Sequence, residues 1–99
     1  MNYKIVLDPG HGGEDGGAIG NGIIEKDLTL KISQYIYDRL RQLGIPVTLT
    51  RNTDETLNPT DRVNRILNAY GNNPDVIVVS NHINAGGGDS RCVTTMYND

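Results

Sequence analysis

The chain has 99 residues, of which 36% are hydrophobic, and a formal charge of −3, which is the composition of an ordinary globular protein. One domain of this size buries about 60–65% of the surface that its unfolded chain exposes, so its core is thin. The nine basic residues are scattered along the chain, and neither nucleic acid nor anionic lipid is an expected partner.

The cysteine content and the N-terminus exclude two further classes. A single cysteine, Cys92, cannot form an internal disulfide framework or a thiolate metal cage, and we expect it to be a packed thiol. The apolar stretch near the N-terminus is much shorter than the core of a signal peptide, and nothing approaches the roughly 20 apolar residues of a membrane span. We therefore expect no export signal and no membrane insertion.

The first predicted element is a short buried strand, Ile5-Val6-Leu7, which ends at the turn signal Asp8-Pro9-Gly10. Residues 8–22 are predicted to be a loop, and seven glycines in it allow the backbone to turn tightly and to approach a ligand. The alternative reading of so much glycine is a floppy surface loop without a function.

Two helices and three more strands follow. Apolar residues at three- and four-residue steps predict a helix over residues 26–43, and an N-cap asparagine, a first-turn proline and Gly71 delimit a second helix over residues 58–70. Strands are predicted at 47–50, at 75–80 and at 91–97. The alternation of strands and helices predicts one α/β domain with a mostly parallel sheet and flanking helices.

Both histidines of the chain are predicted to lie just beyond strand ends, His11 after the first strand and His82 after the strand at 75–80. Parallel neighbouring strands would bring them together, and the glycine loop can fold Glu25, at the start of the first helix, over the same sheet edge. Two imidazoles and one carboxylate are the protein ligands of a catalytic zinc site. Taken singly, each of these residues is more often a structural or surface residue, and a glutamate in a first helical turn is usually a dipole partner.

The sequence gives less support to nucleotide binding and to a thiol nucleophile. The loop contains Gly10-His11-Gly12, but Asp15 stands where a dinucleotide-binding fingerprint needs its third glycine, and no P-loop lysine follows. Nucleotide binding is therefore not expected. A thiol nucleophile is not expected either, because Cys92 lies inside a predicted strand with Arg91 as its only basic neighbour.

Three segments carry a resemblance to a known family: residues 5–13 (Ile-Val-Leu-Asp-Pro-Gly-His-Gly-Gly), 25–27 (Glu-Lys-Asp) and 80–85 (Ser-Asn-His-Ile-Asn-Ala). With them, the chain resembles the zinc-dependent N-acetylmuramoyl-L-alanine amidases of the amidase 3 type, which are cell-wall hydrolases of bacteria and phages. The resemblance implies a zinc ion held by His11, Glu25 and His82. It also implies hydrolysis of the amide between N-acetylmuramic acid and L-alanine in peptidoglycan, the substrate partner.

The resemblance covers residues 4–97, so residues 1–99 correspond to the N-terminal part of such a catalytic domain, truncated after the fourth strand. It also implies a general-base glutamate on a later strand, a position this chain does not contain, which leaves the catalytic residue unknown. Glu14 and Glu55 are expected to be solvated and not to replace it. The missing strands would leave a sheet edge uncovered, through which the chain could form oligomers.

Four hypotheses follow from these observations. The leading one is an amidase that acts on the bacterial cell wall, and the lack of a signal peptide is typical of a phage endolysin or a leaderless autolysin. A catalytically inactive zinc-binding or wall-binding module is the first alternative. A half-domain that becomes active when another chain supplies the remaining strands is the second. The third is an α/β domain with incidental histidines.

Overall fold

The computed structural model describes residues 2–86 and 89–96, with side chains described up to Ile83. The elements follow one another in the order β1 (Lys4–Pro9), β2 (Ile19–Gly20), β3 (Ile23–Ile24), α1 (Glu25–Gln42), β4 (Val47–Leu49), α2 (Pro59–Tyr70), β5 (Val76–Gly86) and β6 (Asp89–Met96). In the described part of the chain, no helix is both long and apolar enough to cross a membrane.

The main sheet has four strands in the order β4-β1-β5-β6. β1 pairs in parallel with β4 on one side and with β5 on the other, while β6 runs antiparallel to β5. Two helices connect the parallel strands, as crossover connections require. The prediction of an α/β domain with a mostly parallel sheet is confirmed.

α2 begins, and α1 ends, where the sequence predicts. The side chain of Asn58 accepts a hydrogen bond from the amide of Asp61, and Pro59 occupies the first turn of α2. After α1, the amide of Gly44 donates to the carbonyl of Arg41, and a positive φ of 76° at Gly44 reverses the chain. These local signals place the helix ends within one residue of the predicted ones.

The glycine-rich segment is more ordered than the predicted loop over residues 8–22. Its second part forms the hairpin β2–β3, whose turn residues Asn21 and Gly22 both have positive φ, 52° and 77°. An Asn-Gly pair is the strongest short-range hairpin signal because both residues tolerate this conformation. The prediction of a continuous loop was wrong for residues 19–20, and also for residues 8–9, which extend β1 because they pair with Ser80 and Asn81 of β5.

β5 is also longer than the predicted strand at 75–80. It continues through His82 to Gly86 because β6 supplies an antiparallel partner, in which Asn81 lies opposite Thr95 and His82 opposite Thr94. The prediction that His82 lies beyond the strand end was therefore wrong. The predicted strand at 91–97 is β6 over residues 89–96, and position 97 lies outside the described residues.

The apolar core lies between the sheet and α2. Val6, Val76 and Val78 are buried, and Ile66, Ala69 and Tyr70 pack against them from α2. The fully or nearly fully buried residues of α1 are instead polar: Glu25, Thr29 and Ser33, at intervals of four residues. Residues at this spacing lie on one face of a helix, so α1 presents a polar stripe to the molecule's interior.

Candidate metal centre

The two histidines meet because β1 and β5 are parallel neighbours. Pro9 pairs with Asn81 in the register of the two strands, which places His11 two residues beyond that pair and His82 one residue beyond it. Their rings lie edge to face, with centroids 5.1 Å apart and an interplanar angle of 85°. Both imidazoles thus lie just beyond the last parallel pair of β1 and β5, although β5 itself continues past His82.

Glu25 is the first residue of α1 and completes the cluster. Its Oε2 lies 3.2 Å from Nε2 of His11 and 3.5 Å from Nδ1 of His82, and the three side chains offer ligand atoms that all lie within 4.8 Å of one another. Ligand atoms about 2.0–2.2 Å from one tetrahedral ion are separated from each other by about 3.3–3.6 Å. The distances from Glu25 therefore match two edges of such a tetrahedron.

The carboxylate of Glu25 is fixed by the backbone around it. Its side chain is 4% exposed; Oε1 accepts a hydrogen bond from the amide of Ala18 at 2.9 Å and Oε2 accepts one from the amide of Ile83 at 2.7 Å. A buried anion needs such donors because burial removes its hydration. Together with the two imidazoles, this leaves a donor set of two nitrogens and one oxygen, which suits zinc better than magnesium or calcium.

The backbone of His11 is held in an unusual conformation. Its φ is 63°, in the left-handed region that costs a non-glycine residue about 1–2 kcal/mol. The carbonyl oxygen of His11 accepts hydrogen bonds from Nε of Arg51 at 2.7 Å and from Nη2 of Arg62 at 3.0 Å. Two charged donors thus stabilise the strained residue that carries one of the candidate ligands.

Arg51 is 2% exposed and connects several segments around the centre. Besides His11, it donates to the carbonyls of Gly10, Lys26 and Thr53. Burial lowers the pKa of Arg51, and the nearby charge of Arg62 lowers it further. The guanidinium still remains charged at neutral pH, because its ordinary pKa is far above 7.

Asp8 is the buried acid that accompanies these two arginines. Oδ1 of Asp8 accepts hydrogen bonds from Thr50 at 2.7 Å and from Nη1 of Arg62 at 2.6 Å, while Oδ2 accepts one from Ser80 at 2.8 Å. Asp8 lies on β1, Ser80 on β5, Thr50 directly after β4 and Arg62 on α2. One carboxylate therefore links β1, β5, the residue after β4 and α2 through hydrogen bonds, three residues before His11 in the chain.

The polar stripe of α1 is fully paired. Thr29 donates to the carbonyl of Gly10 at 2.8 Å, and Ser33 accepts a hydrogen bond from the side chain of Asn81 at the same distance. Gly10 and Asn81 are the residues that directly precede His11 and His82. The stripe thus holds α1, and with it Glu25, against both histidine-bearing segments.

The first part of the glycine segment is tied to the chain that follows β4. The amide of Gly13 donates to Asp54 at 2.7 Å, and the amide of Glu14 donates to Thr56 at 3.0 Å. Lys26 bridges the same two segments through the carbonyl of Gly13 and the carboxylate of Asp54. The alternative of a floppy surface loop is therefore not supported.

The other acidic residues that the sequence singled out lie apart from the cluster. Glu14 is exposed, as expected, and Glu55, whose side chain is 38% exposed, forms a two-oxygen ion pair with Arg65 at the surface. The local sequence did not reveal this ion pair, because Arg65 lies ten residues away, in the second turn of α2. Cys92 lies in β6, where the packing of its thiol stays a prediction.

One residue near the centre was not expected from the sequence. Oδ2 of Asp15 lies 2.9 Å from Nδ1 of His11, on the nitrogen that does not face Glu25. The hydrogen bond with His11 is the main cause that lowers the pKa of Asp15. The four-residue spacing of His11 and Asp15 was visible in the sequence, but it indicates a contact only in a helix, and this segment is not helical.

Comparison with known proteins identifies a family and several relatives. A family model described as N-acetylmuramoyl-L-alanine amidase matches residues 5–99. The germination-specific N-acetylmuramoyl-L-alanine amidase of Bacillus subtilis is 49% identical over 60 residues, which are 60% of this chain and 25% of that protein. The endolysin of Bacillus phage SPP1 is 38% identical over 98 residues, which are 98% of this chain and 35% of that protein.

Solved structures extend the likeness to the fold. The structure of the N-acetylmuramoyl-L-alanine amidase AmiC2 of Nostoc punctiforme superimposes with a TM-score of 0.75 at 34% sequence identity, covering 88% of this chain and 47% of that one. The first curated relatives are considerably longer, since this chain spans only 38%, 25% and 19% of their lengths.

Proposed function

The chain belongs to the N-acetylmuramoyl-L-alanine amidase family, and we propose that its His11, Glu25 and His82 bind zinc in a domain that hydrolyses the amide between N-acetylmuramic acid and L-alanine in peptidoglycan. The observation that carries this proposal is the convergence of the three ligand atoms within 4.8 Å of one another. The proposed place of action is the bacterial cell wall, as for a phage endolysin or an autolysin.

The chain's own residues prepare such a centre. His11 offers Nε2 and His82 offers Nδ1 toward Oε2 of Glu25, and two backbone amides donate hydrogen bonds that orient this buried carboxylate. When bound, zinc supplies Lewis acidity that activates a water molecule and polarises the substrate carbonyl. The imidazoles are 25% and 33% exposed, so the centre is open to a large substrate on the histidine side.

Metal content tests the ligand set directly. We expect the purified 99-residue chain to hold one zinc per molecule by elemental analysis, and His11→Ala, His82→Ala and Glu25→Gln to lose it. Glu14→Gln is the matched control for Glu25→Gln, because it makes the same chemical change at an exposed residue three positions from His11. Zinc content that survives all three ligand substitutions would contradict the proposal.

A second candidate function is zinc binding without turnover by these 99 residues alone. It is favoured by one observation: among the side chains that the structure describes, the glutamates other than Glu25 are the exposed Glu14 and the ion-paired Glu55. Neither lies at the centre, so the described side chains provide no second glutamate there as a general acid–base group, which commonly contributes about 10²–10⁴-fold to a rate.

Release of amino groups from purified cell walls distinguishes the two functions. Stoichiometric zinc with release of L-alanine amino groups supports an active amidase, and zinc without release supports the second candidate. β4 and β6 are the edge strands of the described sheet, and a third outcome is therefore that release rises more steeply than protein concentration because a second chain must pair with such an edge. Sedimentation at the same concentrations would then show the corresponding oligomer.

A further inference from the structure

The two nitrogens of the His11 ring have different surroundings. Nε2 lies 3.2 Å from the buried Oε2 of Glu25, and Nδ1 lies 2.9 Å from Oδ2 of Asp15. A neutral imidazole carries its proton on one nitrogen only, and the other nitrogen has the lone pair that can bind a metal. Which nitrogen carries the proton is set by the hydrogen-bond partner, and an ionised carboxylate can accept a hydrogen bond but cannot donate one.

Asp15 is itself held in place. Its backbone amide donates to the carbonyl of Gly12 at 3.0 Å, and its carbonyl accepts from the amide of Gly12 at 2.8 Å, which forms an isolated antiparallel bridge. Oδ1 of Asp15 accepts a hydrogen bond from the amide of Gly17 at 3.2 Å, which leaves Oδ2 for His11. Although the side chain is 64% exposed, both its backbone and its carboxylate are therefore oriented.

We propose that Asp15 is a positioning residue for the metal ligand His11. By accepting the Nδ1–H hydrogen bond, it selects the tautomer whose Nε2 lone pair points toward Glu25, and it fixes the rotation of the ring. Among the side chains that the structure describes, Asp15 and Glu25 are the carboxylates in contact with His11. This inference deepens the proposed function and rests on the zinc site, because a positioning role has meaning only if His11 binds a metal.

A carboxylate that orients a metal-binding histidine typically changes metal affinity or activity by about 10–100-fold. We therefore expect Asp15→Ala to weaken zinc binding by this factor. Asp15→Asn is a finer test, since the amide has one oxygen in place of two. If that oxygen accepts from Gly17, the NH₂ group faces Nδ1 and favours the opposite tautomer, so zinc binding should also weaken, by about tenfold.

The experiment measures zinc affinity by competition with a chelator and reads the tautomer from ¹⁵N chemical shifts of the His11 ring. Asp38→Asn, an exposed position on α1, is the matched control and should leave both readouts unchanged. Circular dichroism shows whether each variant is folded. If Asp15→Ala does not fold, Asp15→Asn alone tests the positioning role. A merely structural role for Asp15 would lower stability without moving the His11 ring shifts at saturating zinc.

The outcomes separate this inference from the function on which it rests. If the unchanged chain does not bind zinc, the proposed function fails. If it binds zinc, and Asp15→Asn binds equally well with the same His11 tautomer, the proposed function stands and the positioning role of Asp15 is overturned. Weaker binding together with altered ring shifts supports the inference.

Discussion

Arg51 donates a hydrogen bond from Nε to the carbonyl oxygen of His11 at 2.7 Å, so a buried cation supports the backbone of a candidate metal ligand. The same oxygen is contacted by Arg62, which in turn binds Asp8. The position of the His11 ring therefore depends on residues located after β4 and on α2, far away in the sequence. Substitutions of these residues should therefore alter the position of the His11 ring at the metal centre.

Arg51→Lys should lower the free energy of unfolding by about 2–4 kcal/mol, because one ammonium group cannot replace the fork of donors that serves four carbonyls. Urea unfolding measures this loss. Arg39→Lys, at an exposed position of α1, is the control and should change stability by less than about 0.5 kcal/mol. Equal losses in the two variants would show that Arg51 has no special role.

Gly17→Ala should reduce zinc affinity by about tenfold or more, since the added Cβ would lie 2.6 Å from Cδ2 of His11 and 2.8 Å from Oε1 of Glu25. Gly17 also has a positive φ of 72°, which by itself costs alanine about 1–2 kcal/mol. Gly22→Ala separates the two effects, because Gly22 has a φ of 77° and no atom within 4 Å of the added Cβ. It should lose stability and keep zinc affinity, and parallel losses of affinity would contradict this steric account.

Asp54 should make the stability of the chain depend on acid pH. Its hydrogen bonds from Lys26, the larger cause, and from the amide of Gly13 lower its pKa from the ordinary 3.8. A carboxyl whose pKa is lower in the folded state stabilises fully above its unfolded pKa, and this contribution is lost as the pH falls through the folded pKa. Asp54→Asn should therefore be less stable than the unchanged chain above about pH 5, and the two curves should converge below about pH 4.

Urea unfolding of both chains across this pH range provides the measurement, with Asp38→Asn as an exposed control of the same chemical type. A difference between Asp54→Asn and the unchanged chain that grows toward low pH would have the wrong sign for a lowered pKa.

Asn58→Ala should destabilise the protein by about 1 kcal/mol, because the side chain of Asn58 caps α2 through the amide of Asp61 at 2.7 Å. Asn58→Asp retains the acceptor and adds a negative charge at the helix N-terminus, so it should restore or exceed the original stability. Thermal unfolding of the three chains is sufficient. An alanine variant as stable as the original would mean that water replaces the cap without loss.

The sequence was sufficient for those elements whose signals are local. The Asn58 cap, the glycine stops and the apolar run at 75–80 each act within a few residues, and the structure contains the corresponding helices and strand. Parallel pairing of β1 and β5 could also be predicted, since alternating strands and helices leave few other arrangements. This pairing is what brings His11 and His82 together.

The features that the sequence did not reveal depend on contacts between distant residues. β5 continues through His82 because β6 pairs with it, and periodicity within residues 75–80 contains no information about that partner. The same is true of Arg51 and Asp15, whose partners are backbone atoms or a ring that only the folded chain places beside them. Buried polar groups are the hardest to predict, because a polar residue is by default expected to be exposed.

The polar stripe of α1 also determines how precisely the helix is seated. Apolar contacts have no direction, so an apolar helix face could slide or rotate slightly on the sheet at little cost. Thr29 instead donates a hydrogen bond to the carbonyl of Gly10, and Ser33 accepts one from Asn81, so a rotation of α1 by one residue would break both of these buried hydrogen bonds. These hydrogen bonds therefore fix the rotation of α1 about its own axis. The same constraint fixes the position of the Glu25 carboxylate, because Glu25 is the first residue of the helix.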